Sequence, residues 1–178
     1  MTSTEIPTLS SLEFIAYIND HGQLPEPQEK VGVYAIFDSE KTLQYIGFSR
    51  DVLLSLRQHL VRQPQQCYWL KVKTIDRPSR TILEEIRAAW ITENGTVPIG
   101  NSAEEANWTQ AIDVKSQMTS EEQNSFAAGL DEFSQSKVLK QVARRVESEI
   151  LAELRARGVD AELRFNPKLK EAGLLDLK

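Results

Sequence analysis

The chain has very few of the residues that build disulfides or zinc sites. It contains one cysteine, Cys67, and two histidines, His21 and His59. A single cysteine excludes an internal disulfide, and this small set of sulfur and imidazole ligands argues against a zinc site. We expect Cys67 to be a small buried residue of a strand.

Long apolar runs are also missing. No stretch approaches the roughly 18 consecutive apolar residues of a membrane-spanning helix. The N-terminal segment is polar and acidic, without the basic-then-apolar pattern of a signal peptide. We therefore expect a cytoplasmic protein with no membrane span.

Positive charge is unevenly distributed. Residues 1–29 hold five acidic residues and no lysine or arginine, whereas residues 30–101 hold ten basic and seven acidic residues. The whole chain of 178 residues has a net charge of −5, which argues mildly against unaided binding to nucleic acid. The middle segment permits such binding without requiring it.

The middle of the chain predicts a small mixed fold. Alternating or β-branched residues predict strands at 30–38, 42–47 and 67–75, and helical apolar spacing predicts helices at 50–61, capped by Ser49, and 79–93. The order is β-β-α-β-α. The pattern itself supports a small mixed α/β layer fold.

The flanks predict further helices. A Ser10–Glu13 capping box predicts a helix over 10–20, and residues 102–118 are polar with little periodicity. A second capping box starts a helix over 119–133, and the strongest apolar stripe covers 136–157 and ends at Gly158. The tail from residue 166 is predicted to be loose. These features divide the chain into an N-terminal helix and linker (1–29), a core domain (30–110) and a C-terminal helical extension (111–178).

Two tyrosine-bearing triplets lie on the first two predicted strands. Gly32-Val33-Tyr34 and Tyr45-Ile46-Gly47 are separated by ten residues, and Pro98-Ile99-Gly100-Asn101 follows the second core helix. Together with the order of elements, these motifs resemble the GIY-YIG nuclease superfamily. The resemblance implies an α+β fold, in which a three-stranded, mainly antiparallel sheet is flanked by helices and is followed here by a C-terminal helical extension. The resemblance implies a phosphodiester-cutting site in which Tyr34 is the general base, while Tyr45 and His59 position water or protons.

The phosphate-binding residues depart from that family's pattern. The family carries an arginine eight residues past the last motif glycine, where this chain has Ser55. A serine cannot supply the charged, bidentate fork of a guanidinium. Arg50 and Arg57 lie nearby in sequence, and we predict that they and Asn101 contact phosphate; the alternative is that both arginines are solvated.

The expected metal ligand is also displaced. The family places a glutamate three residues before a Leu-Ile-like pair, and taking Trp90-Ile91 as that pair puts Arg87 at the glutamate position. The resemblance implies Mg²⁺ or Mn²⁺, with Glu84 or Glu85 as a shifted ligand. The alternative is an ordinary solvated helix face.

A particular branch of the superfamily resembles the chain more closely over residues 30–110. It forms the N-terminal domain of plant chloroplast monothiol glutaredoxins and also occurs as stand-alone cyanobacterial proteins, which implies a cytoplasmic or plastid-stromal setting. Cys67 is not part of a Cys-Gly-Phe-Ser site, so the resemblance does not imply the redox activity of a glutaredoxin for this chain.

Two functions remain open. The first is a metal-dependent DNA endonuclease or nickase of weak activity. The second is a catalytically inactive module of the same fold that acts on a protein partner through its C-terminal helices, above all the helix at 136–157. Whether the protein is an enzyme therefore stays open from the sequence.

Overall fold

The chain folds as two units that meet in sequence at residue 109. The computed structural model describes residues 5–178; the first unit ends at Thr109 and the second is Gln110–Lys178. Each unit has its own buried residues, and the two are described separately below.

The first unit is built on an antiparallel sheet. Its elements are β1 (Ile15–Ala16), β2 (Val31–Phe37), β3 (Leu43–Ser49), α1 (Val52–Arg62), β4 (Trp69–Ile75), α2 (Arg80–Asn94) and α3 (Glu105–Thr109). The strand order is β1-β4-β2-β3, with every pair antiparallel. The predicted three-stranded sheet therefore gains one short edge strand.

Strand β2 is central, and its two faces serve different purposes. Val33, Ala35 and Phe37 pack into the main core with Ile86 and Trp90 of α2. Because side chains alternate along a strand, Tyr34 and Ile36 lie on the opposite face. Helix α1 contacts β2 and β3, and its residue His59 meets Tyr34 on that face.

The helices of this unit begin at polar caps. The Ser79 side chain accepts a hydrogen bond from the backbone N–H of Ile82 and caps α2, as predicted. For α1 the predicted cap is wrong: Asp51, not Ser49, accepts from the backbone N–H of Leu54. The Ser49 hydroxyl is instead engaged by the Asp51 backbone and by the Ser55 hydroxyl.

The predicted helix over residues 10–20 is wrong. The segment contains a 3₁₀ turn at Leu9–Ser11 and then the extended strand β1. The backbone N–H groups of Leu9 and Ser10 donate to the Glu93 carboxylate, and Lys71 Nζ donates to the Leu9 carbonyl. Partners distant in sequence thus bind the backbone of this segment.

The second unit consists of helices and a two-stranded ribbon. Its elements are β5 (Ile112–Asp113), α4 (Ser120–Ala128), α5 (Glu132–Ala156), α6 (Pro167–Lys170) and β6 (Leu174–Leu175). The Thr119–Glu122 capping box that starts α4 is present as predicted. Helix α5 begins four residues earlier than predicted because Asp131 caps it, and its apolar stripe is buried at Leu139, Val142, Ala143, Val146, Ile150 and Leu154.

Two segments predicted to be irregular are ordered. The stretch 102–118 contains α3, β5 and a 3₁₀ turn, with Trp108 and Val114 buried. The C-terminal tail is also folded, because β6 pairs with β5 and Leu175 is fully buried. A few apolar residues between polar ones were enough to anchor each segment, although they form no recognisable period.

The predicted fold class is confirmed as α+β, with an antiparallel sheet, flanking helices and further helices at the C-terminus. Within residues 5–178, no helix combines the length and apolar character needed to cross a bilayer.

Replacing Leu175 by Ala should destabilise the second unit by about 2–5 kcal/mol, because it opens a cavity at a fully buried position. Urea unfolding followed by circular dichroism measures the change. Leu130→Ala is the matched control, since Leu130 is 100% exposed and its loss should matter by less than about 0.5 kcal/mol. Equal midpoints for the two variants would mean that the tail is loose, as the sequence suggested.

Candidate functional site

The β2–β3 hairpin brings the two motif tyrosines to one face of the sheet. Tyr34 pairs with Gly47 across the strands, and Tyr45 pairs with Ile36. Since Tyr34 and Ile36 are two residues apart on β2, Tyr34 and Tyr45 project from the same face. Their ring centroids lie 6.2 Å apart.

Helix α1 adds a histidine to the tyrosines. His59 Nε2 and the Tyr34 hydroxyl form a hydrogen bond of 2.8 Å, and the His59 ring lies 4.8 Å from the Tyr45 ring. The predicted association of Tyr34, Tyr45 and His59 therefore exists as a contact cluster. Each of the three is at least 92% buried, as their exposed fractions are 2%, 8% and 4%.

Trp108 of α3 closes the cluster. Its ring stacks on Tyr45 with an interplanar angle of 7° and a centroid distance of 5.3 Å. Arg62 at the end of α1 donates a hydrogen bond to the Trp108 carbonyl, which ties α3 to the helix that carries His59. We call Tyr34, Tyr45, His59 and Trp108 the aromatic cluster.

Burial keeps the ionisable members of the aromatic cluster neutral. Burial and then the neighbouring Tyr45 raise the pKa of Tyr34 far above its ordinary value, while Ser55 opposes the rise. Burial also raises the pKa of Tyr45, against the influence of Arg87. Burial, followed by the Arg62 charge, lowers the pKa of His59 to about 3. At neutral pH the cluster is two phenols and a neutral imidazole.

The serine that replaces the family's arginine faces the cluster. Ser55 opposes the rise in the pKa of Tyr34, and its hydroxyl donates to Ser49 Oγ at 2.7 Å. The two arginines predicted to compensate do not line the pocket described below. Arg50 is exposed, and Arg57 is half-buried on another part of α1.

Asn101 serves the backbone of the site. Its Oδ1 accepts from the Ile46 N–H at 2.8 Å, and its Nδ2 donates to the Ile46 carbonyl at 2.7 Å. The side-chain amide therefore pairs with the outer edge of β3 as a neighbouring strand would. Both polar atoms predicted to contact phosphate are engaged in this pairing, so the role that the structure gives Asn101 is to hold the hairpin.

A pocket of about 290 Å³ opens beside Tyr45. It is lined by Tyr45, Arg87, Ile91, Val97, Asn101, Glu105 and Thr109. Tyr34 and His59 are not among these residues, so Tyr45 is the member of the aromatic cluster that meets the pocket. Arg87 and Glu105 bring one positive and one negative charge to the wall, and both act on the pKa of Tyr45, in opposite directions.

The donors present do not fit a resident Mg²⁺ or Mn²⁺ ion. Glu84 is exposed and paired with Arg80 at 2.8 Å, Glu85 is exposed, and neither lines the pocket. Glu105 is the single carboxylate of the pocket wall, beside the cation Arg87. Within residues 5–178 no group of three or more His, Cys, Asp or Glu side chains is arranged to hold a metal ion.

Sequence reasoning missed the role of four residues: Arg62, Arg87, Glu105 and Trp108. A signal existed for Arg87, which falls where the resemblance expects a carboxylate. Another existed for Trp108, which is the one aromatic residue in the polar stretch 102–118. Large aromatic residues in such stretches are usually anchored, because exposing them to water is unfavourable.

Replacing Asn101 by Asp should destabilise the first unit by about 1–3 kcal/mol. The carboxylate still accepts from the Ile46 N–H, but it repels the Ile46 carbonyl, to which the amide donates. Urea unfolding measures the loss. Asn124→Asp, at an exposed position of α4, adds the same charge and should be nearly neutral. If the urea midpoint of Asn101→Asp equals that of Asn124→Asp, Asn101 does not hold the hairpin.

Replacing His59 by Gln should change how stability depends on pH. Because burial lowers the pKa of His59 in the folded state to about 3 from its ordinary value of 6.5, the unfolded chain binds the proton first as pH falls. The wild type therefore loses stability between about pH 6.5 and 3, by up to about 1.4 kcal/mol per pH unit from this group. The difference in unfolding free energy between the wild type and His59→Gln should therefore shrink as pH falls from about 6.5 to 3.

Urea unfolding at several pH values gives that difference, and His21→Gln is the control because His21 is exposed. The wild type and His21→Gln should follow nearly parallel curves. If His59→Gln is parallel to them as well, His59 is not held neutral by burial.

Comparison with known proteins gives a partial match. No protein-family profile matches the chain. It is 36% identical over 76 residues to the bifunctional monothiol glutaredoxin-S16, chloroplastic, of Arabidopsis thaliana. The match covers 40% of this chain and 26% of that protein, so the chain spans about a quarter of its relative's length. The predicted similarity to a plant chloroplast monothiol glutaredoxin is thus confirmed over part of the chain, and membership of the GIY-YIG superfamily stays a prediction.

Proposed function

We propose that this protein is a GIY-YIG nuclease-like DNA-binding protein whose first unit cleaves the phosphodiester bond slowly. One observation carries the proposal: Tyr34, Tyr45 and His59 meet in one buried cluster. Tyr45 is the member of that cluster that lines a pocket with charged residues on its wall. The hairpin triplets that resemble the superfamily supply two members of this cluster, Tyr34 and Tyr45.

The pocket gives the residues distinct roles. A phosphodiester bound there lies against Tyr45 and Arg87. Arg87 offsets negative charge that develops on the phosphoryl oxygens. Tyr45, which burial keeps protonated, donates a hydrogen bond to a phosphoryl or leaving oxygen. Tyr34 and His59 lie behind it and act as positioning residues, holding the Tyr45 ring in place.

Slow cleavage follows from the same geometry. Hydrolysis needs a group that accepts a proton from the attacking water. Tyr34, the general base that the resemblance implies, is a neutral phenol hydrogen-bonded to His59 and does not line the pocket. With no strong base beside the phosphate, we expect turnover well below that of an efficient nuclease.

A nicking assay on supercoiled plasmid, run in Mg²⁺, in Mn²⁺ and in EDTA, tests the proposal. Tyr45→Phe should lose nicking by about tenfold or more, because it removes the only donor of that ring. Tyr34→Phe should lose less if it acts through position. Tyr68→Phe is the matched control, a phenol outside the cluster, and should match the wild type. The same background in every variant would rule out cleavage by this site.

A catalytically silent binding module is the second candidate. The presence of Arg87, where the resemblance expects a metal-binding carboxylate, favours it. Its predicted contact helix needs revision, because the apolar stripe of α5 is buried. The apolar residues left for a protein partner on the second unit are Leu130, which is 100% exposed, and Phe133, which is 79% exposed. A silent module would keep partner binding in Tyr45→Phe and show no nicking.

The cellular setting is proposed from the same partial similarity. The relative's name places that protein in the chloroplast. We propose the cytoplasm, or the plastid stroma, for this chain, and a fluorescent fusion of the full chain reports which of the two applies.

A further inference from the structure

Arg87 is a cation of the pocket without an assigned partner. Its guanidinium lies over the Phe48 ring, 4.6 Å from the centroid, and the residue is half-buried on α2. Within residues 5–109 the structure records no ion pair or hydrogen bond from this guanidinium, including with Glu105 across the same pocket. A half-buried charge of this kind is costly unless something pairs with it.

Other arginines of the first unit are committed differently. Arg80, two turns earlier on α2, pairs with Glu84 at 2.8 Å in an exposed i,i+4 bridge. Arg62 donates to the Trp108 carbonyl. Arg87 differs from both, because it is held by an aromatic face with its N–H groups left for a ligand in the pocket.

The chemistry of the pocket selects a phosphate ester. A guanidinium offers donors in a planar fork that matches two phosphate oxygens, and stacking on an aromatic ring leaves the edge of that fork available. Tyr45 and Thr109 line the same space. Glu105 disfavours a doubly charged phosphomonoester more than a singly charged diester, because repulsion grows with the ligand's charge.

We propose that Arg87 is the phosphate-binding residue of this pocket and that it holds a monoanionic phosphodiester of DNA without a divalent metal ion. The inference rests on the proposed function in taking DNA as the source of the diester. It departs from the sequence prediction, in which Arg50, Arg57 and Asn101 bound phosphate and a metal ion completed the site.

Fluorescence anisotropy with a short fluorescein-labelled DNA duplex tests this, in EDTA and in Mg²⁺. The wild type should bind comparably in the two buffers. Arg87→Gln should weaken binding about tenfold or more, because a charge-assisted phosphate contact is lost. It should also reduce the dependence of affinity on salt by about one phosphate contact. Arg87→Lys keeps the charge but loses the planar fork, so its affinity for DNA should lie between that of the wild type and that of Arg87→Gln.

Two matched variants sharpen the result. Arg80→Gln removes the same charge from the same helix outside the pocket, and should bind within about twofold of the wild type, since its charge is solvated and paired with Glu84. Glu105→Gln removes the repelling carboxylate and should strengthen binding. Urea midpoints close to that of the wild type establish that all four variants are folded.

The outcomes separate this inference from the proposed function. The inference is overturned if the wild type does not bind DNA in EDTA. It is also overturned if Arg87→Gln and Arg80→Gln bind DNA with equal affinity. Both hold whatever the nicking assay gives. Arg87-dependent binding in EDTA supports it even if no variant nicks plasmid, in which case only the cleavage part of the proposed function fails. Nicking that is unchanged in Arg87→Gln overturns the inference and leaves cleavage standing.

Discussion

The register of the β2–β3 hairpin sets Gly47 opposite Tyr34, and the missing side chain at that position makes room for both tyrosine rings. A Cβ at residue 47 would lie 2.6 Å from Tyr45 Cε1 and 2.8 Å from the Tyr34 hydroxyl, closer than atoms in a packed interior tolerate. Any other residue would therefore displace one ring or both. The Tyr34–His59 hydrogen bond and the stacking of Tyr45 on Trp108 each require those ring positions. The Asn101 amide holds the adjacent Ile46 in place from the outer edge of β3.

Packing the rings this closely has an electrostatic consequence. Groups removed from water lose the solvation that stabilises their charged forms, so Tyr34 and Tyr45 stay protonated and His59 stays unprotonated. The aromatic cluster is consequently a rigid neutral wall rather than a source of charge. The charges that can act on a ligand are those at the pocket, Arg87 and Glu105. The close packing thus lies in the aromatic cluster and the charge lies on the pocket wall, and Tyr45 belongs to both.

The sequence predicted the features that depend on local periodicity. Strand alternation and helix spacing were enough to predict the hairpin, α1 and α2. The association of Tyr34, Tyr45 and His59 was predicted from the resemblance to the GIY-YIG superfamily. Features that depend on contacts between distant segments could not be predicted in this way. The expected N-terminal helix was replaced by extended chain because Glu93 and Lys71 bind the Leu9 backbone. The position of Glu84 on α2 was compatible with a metal ligand and with an ordinary solvated helix face, and in the fold it is exposed and pairs with Arg80.

In the proposed function, the two charges of the pocket would also link binding to the speed of cleavage. Arg87 holds the pKa of Tyr45 down, and Glu105 works with burial to raise it. In the proposed complex, a phosphodiester seated on Arg87 would place a negative charge beside the guanidinium and offset its lowering effect on the pKa of Tyr45. The bound ligand, together with burial, would then keep Tyr45 a hydrogen-bond donor rather than a base. The proposed site would therefore hold a phosphodiester more readily than it would cut one.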